Sequence, residues 1–167
     1  FSTVSREVAR LWIEKFSNHG QAAYHLERIL DVQADDIESL DLLIDIYEQK
    51  HDWQMLFDAL QKKVDFLDED ARCDALIRMA EIAIQRLEMV DDAIDIWRTV
   101  QTQRPEQAEA SLIILFERHE RWHELAELYL ERLVSLQGPE RVAQLKLLVP
   151  VLSNRLGDDE RCEEALH

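Results

Sequence analysis

Glycine and proline are scarce in this chain, three of each in 167 residues, and that scarcity excludes a Gly-rich phosphate cradle and favours long helices joined by short turns. Cysteine is limited to Cys73 and Cys162, which lie 89 residues apart with no metal-ligand spacing near either. They read as reduced residues in or near the core. No apolar run approaches the 18 residues a membrane span needs, and strand-like alternation is absent. Basic residues are outnumbered, 19 against 35 acids. The net charge of −16 disfavours nucleic acid and anionic membrane surfaces and permits a basic partner. Phe1 is not an initiator and no signal-like start follows it, so the chain reads as a fragment of a longer, cytoplasmic protein.

What is present is a repeat. The stretch 52–67, DWQMLFDALQKKVDFL, aligns without a gap on 121–136, RWHELAELYLERLVSL, at an offset of 69 residues. The same offset pairs Tyr47 with Phe116, Arg72 with Arg141, Leu76 with Leu145 and Arg86 with Arg155. A fixed period over most of a chain indicates stacked units rather than one globular core. Apolar residues recur at helical spacing throughout, and polar breaks separate the stripes at Gly20, Asp35–Asp36, His51–Asp52, Glu69–Asp70, Asp91–Asp92, Arg104–Pro105, Gly138–Pro139 and Gly157–Asp158. About ten helices of roughly 12–17 residues are expected, consecutive ones antiparallel because the turns are short. Pro150 falls inside the last stripe and predicts a bend.

Helix pairs recur about every 34 residues, and their residues resemble the tetratricopeptide family. Leu40, Leu43, Ile44 and Tyr47 take the places of that family's first-helix pattern, while Ala93, Trp97 and Pro105 fit its second helix and the proline beyond. Ile44, Ile113, Leu56 and Leu125 stand where the family carries small residues, which implies wider helix spacing. Together with Leu156-Gly157-Asp158, these departures resemble a degenerate bacterial subclass in which two kinds of helix pair alternate. The resemblance covers nearly the whole chain and is weakest over residues 1–20 and after Asp158. It implies an all-α fold: a right-handed α-solenoid of antiparallel helix pairs, one array with pairs near 1–34, 35–69, 70–104, 105–137 and 138–167. Trp53 and Trp122, each opening a second helix, are expected to be buried against their partner first helices.

His119-Glu120-Arg121-Trp122-His123 matches the H-E-x-x-H zinc-peptidase motif, whose chemistry needs one continuous helix through both histidines. The repeat register instead places 119–121 in a turn. The remaining histidines, His19, His25, His51 and His167, have no ligand spacing on one face. No nucleophile elbow or phosphate loop appears. No catalytic residue, metal or cofactor is therefore assigned.

The family's first helices line a concave surface where partners bind. In this register the outward positions are Glu38, Asp41, Asp45 and Glu48, then Arg78, Ile82, Gln85 and Arg86, then Gln107, Ala110, Ile114, Glu117 and Arg118. Glu38, Asp41, Asp45, Glu48, Arg78 and Arg86 are the candidate partner-binding residues. The resulting expectation is a non-catalytic scaffold for a protein or peptide partner bearing a basic segment. The competing readings are a regulatory array attached to an unseen catalytic domain and, more remotely, a zinc hydrolase built on 119–123.

Overall fold

The structure, a computed structural model, describes residues 2–16 and 18–166. Phe1 and His167, both singled out above, lie outside the described residues. The chain is all-α, with ten α-helices and no strand among the described residues. They are α1 (Ser2–Phe16) and α2 (His19–Leu30), α3 (Ile37–Lys50) and α4 (Trp53–Val64), α5 (Glu69–Ile82) and α6 (Val90–Val100), α7 (Pro105–Arg118) and α8 (Trp122–Leu133), and α9 (Gly138–Pro150) and α10 (Asp159–Leu166). α6 and α10, at 11 and 8 residues, are shorter than the expected range. No helix among the described residues is long and apolar enough to cross a membrane.

Four helix starts carry side-chain caps among the described residues of α2 to α5. Side-chain oxygens of Asn18, Asp36, Asp52 and Asp68 accept from the backbone N–H three residues on, satisfying donors that a helix start leaves orphaned. Asp36 is itself buried and also accepts from the Ser39 hydroxyl and from Arg6. Pro105 begins α7, where no N–H is needed.

Contacts divide the chain into two compact units, residues 1–96 and 97–167. In the first unit α1 packs on α2, α2 on α3, α3 on α4 and α4 on α5. Leu26, Ile29, Ile46 and Leu56 are fully buried in its core. The second unit packs α7 on α8 and α8 on α9, around the fully buried Leu112, Phe116, Leu125 and Leu128. Cys73 is buried, Cys162 is half-buried, and both are free thiols.

The 69-residue period is written into the backbone as well as the side chains. His51 and Glu120 end α3 and α7 in the left-handed region, at φ 55° and 56°. The next N–H in each case donates back to the equivalent carbonyl, Asp52 to Tyr47 at 2.9 Å and Arg121 to Phe116 at 2.8 Å. α5 and α9 both continue into a π-helical turn, Ala83–Leu87 and Val151–Leu156. Both turns then stop on left-handed residues 69 apart, Glu88 and Gly157. The expectation that Pro150 shapes the helix locally needs correction as to cause. Its repeat equivalent is Glu81, yet the same π turn follows there, so the turn belongs to the repeat and not to the proline.

Tyr47 links two pairs of the first unit. Its ring is buried and its hydroxyl donates to Glu27 of α2 at 2.5 Å. Burial, then that hydrogen bond and the Glu27 charge, push the phenol well above its ordinary pKa of about 10. A phenol whose folded pKa is raised adds stability below the unfolded value and loses it as pH climbs past that value. Alkaline unfolding should therefore begin above about pH 10. Tyr47→Phe should cost about 1.5–2 kcal/mol at neutral pH, the worth of a hydrogen bond to a charged group, and flatten the alkaline limb. Chemical denaturation across pH 7–11 measures both, and identical limbs in the two proteins would refute this role for Tyr47.

Candidate interaction site

The expected partner-binding residues all lie in the first unit, and most already have an internal partner. Glu38 receives Arg6 and Arg10 from α1. Glu48 receives Arg78 from α5 at 2.7 Å. These pairs form a ladder across the three successive first helices α1, α3 and α5. Asp41 instead turns to Lys63 of α4, its own hairpin partner, at 2.5 Å. Asp45 is exposed. Ile82, taken above as outward-facing, is buried at 8% exposure at the end of α5.

Arg86 has a different role. Its guanidinium lies over the Trp53 ring at 4.7 Å from the centroid, and Arg155 lies over Trp122 at 4.6 Å. The π turn of each following first helix thus lays an arginine on the tryptophan that opens the preceding second helix. Both tryptophans are half-buried, not enclosed as the sequence suggested, and the arginine supplies their outer cover. Sequence reasoning paired Arg86 with Arg155 and Trp53 with Trp122, but the contact between the two sets is made only in the fold.

The period also exposes a difference between the units. In the first, the Glu48–Arg78 ion pair bridges α3 and α5 beside Trp53. In the second, Glu117 replaces Glu48 and Leu147 replaces Arg78, so that bridge has no counterpart. A groove of about 580 Å³ opens there between α7, α8 and α9. Trp122, Leu125, Tyr129, Leu147, Pro150 and Val151 form its apolar wall. Leu147 stands 52% exposed, an apolar side chain offered to solvent on the groove's edge. Glu117, Lys146, Asn154 and Arg155 supply its polar lining. Burial, and then the charges of Glu117 and Glu109, raise the Tyr129 phenol. Sequence reasoning named Glu117 as outward-facing but missed the groove. The signal was the change from Arg78 to Leu147 at matched positions.

The H-E-x-x-H match is divided by the fold. His119 caps α7, Glu120 is left-handed, and α8 begins at Trp122. His119 stands in the turn and His123 on α8, so no continuous helix carries both histidines on one face. Among the described residues no group of three or more His, Cys, Asp or Glu is placed to hold a metal ion.

No family model matches the chain and no curated protein does. Solved structures do. The crystal structure of MamA protein aligns with 99% of this chain and 87% of its own at 12% identity and a TM-score of 0.52. A MamA RS-1 ArsTM double mutant aligns with 99% and 90% at 14% identity and a TM-score of 0.49. At such identity the first likeness bears on architecture alone: this chain has the helical, tetratricopeptide-like fold of MamA.

Proposed function

We propose that this chain is a non-catalytic interaction scaffold, one array of helix pairs that docks a protein or peptide segment on the face formed by its first helices. The open groove at Trp122 and Leu147 carries this reading. Its first-unit equivalent is bridged by the chain's own Arg78, so an incoming segment that sets an apolar side chain against Leu147 and a basic one on Glu117 would complete in the second unit what the first unit completes internally. Separately, in the first unit, the strip of Glu38, Asp41, Asp45 and Glu48, with Arg78 and Arg86 beyond, would offer its own contact to a basic segment. Exposed ion pairs contribute only about 0–1 kcal/mol, so exchanging Arg10 at Glu38 for a partner's cation costs little. In support of a non-catalytic reading, the motif that suggested chemistry is split between a turn and the start of α8.

Leu147→Arg should restore the missing bridge to Glu117 and close the groove. Partners recovered by affinity purification with the unaltered protein should fall at least tenfold with this variant, while its melting temperature stays level or rises. Full recovery of the same partners would rule the groove out as the docking site. A parallel variant, Asp41→Lys with Asp45→Lys and Glu48→Lys, tests the acidic strip separately.

A further inference from the structure

A second groove lies on the opposite helices of the first unit, between α4 and α6 with α5 as its floor. It measures about 510 Å³. Phe57, Leu76, Met79, Met89 and Ile96 make the apolar base. Asp58, Asp65, Asp92 and Asp95 stand around it, and none of its lining residues is a lysine or arginine. Acid around a greasy floor would not by itself define a site, because surface acids are plentiful in this chain.

The internal repeat supplies the independent observation. The same positions in the second unit form a smaller groove of about 330 Å³, lined among others by Leu130, Leu133, Arg161 and Ala165. There Arg161, the equivalent of Asp92, reaches across the cleft to Glu127, the equivalent of Asp58, at 2.5 Å. One helix-to-helix ion pair spans the second-unit groove. In the first unit two carboxylates face the cleft where a cation and a carboxylate stand in the other, and the cavity is larger. Asp58 takes only an amide hydrogen bond from Gln54 at 3.1 Å. No arrangement of three or more ligands for a metal ion exists among the described residues, so a bound cation is not the complement.

We infer that the α4–α5–α6 groove docks a partner-protein segment presenting an arginine between apolar side chains, the arginine meeting Asp58 as Arg161 meets Glu127. Guanidinium suits a carboxylate-rimmed cleft because it stays charged and can bond two carboxylate oxygens at once. The apolar neighbours of that arginine would settle on the half-buried Leu76, Ile96 and Met89, the last an unbranched side chain that adapts to varied shapes, over the buried Phe57 and Met79. The surface is distinct from the first-helix face discussed above and does not depend on it.

The test uses a fluorescein-labelled helical peptide of about four turns, with leucines at i, i+4 and i+7 and an arginine at i+3, followed by anisotropy at low and physiological salt. The unaltered chain should bind it, and exchange of the peptide's arginine for glutamine should weaken binding at least tenfold. Asp92→Arg, which recreates the second unit's ion pair, should weaken it at least tenfold without lowering the melting temperature. Asp92→Asn, a gentler change, should weaken it about threefold or more. Glu163→Arg, an equal change of charge on exposed α10, should alter binding less than twofold. The proposal fails if the peptide does not bind, if Asp92→Arg binds it unchanged, or if Glu163→Arg weakens it as much. Loss in Leu147→Arg but not in Asp92→Arg would move the peptide to the other groove, overturning this inference while sparing the scaffold reading.

Discussion

Phe116→Ala is expected to destabilise the protein by about 3–5 kcal/mol, the range for removing a fully buried aromatic ring. Phe116 is 0% exposed and sits at the centre of the second unit, between Leu112 on its own helix and the buried face of α8. Its carbonyl also takes the N–H of Arg121, which closes the α7–α8 turn. The loss therefore has two parts, transfer of the ring to water and a void that neighbouring leucines fill incompletely. A conserved-volume change such as Phe116→Leu should cost much less. Denaturant unfolding monitored by circular dichroism measures both. A loss under about 1 kcal/mol for the alanine variant would mean the ring is not enclosed.

Trp53→Ala and Trp122→Ala should each cost about 2–3 kcal/mol, below the value for a fully buried tryptophan because half of each ring is covered by an arginine rather than by core. Arg86→Ala and Arg155→Ala should cost about 0.5–1 kcal/mol each, the worth of an exposed cation–π contact with its packing. Double-mutant cycles, Trp53 with Arg86 and Trp122 with Arg155, isolate the stack itself and should give matching coupling energies of about 0.5–1 kcal/mol. Two cycles with no coupling would show that the arginines merely lie near the rings.

The repeat made much of this molecule legible. The turn at 119–121 followed from its alignment with 50–52, and the left-handed residues at 51 and 120 bear out that register. The cap at Asp36 was readable because short polar side chains satisfy helix starts through local geometry. The π turns were not readable. Nothing in the local composition of 83–87 and 151–156 demands a wider coil. Ile82 was misplaced as outward-facing and is buried.

Sequence by itself determined the all-α class and the correspondence of residues 69 apart, because periodicity and capping depend on near neighbours along the chain. Only the tertiary structure decided which acids are already answered by Arg6, Arg10, Lys63 and Arg78, that tryptophans are roofed by arginines, and which grooves stay open. Those outcomes rest on distances between side chains from different helices, and a single exchange such as Arg78 to Leu147 or Arg161 to Asp92 decides whether a cleft is bridged or left for a partner.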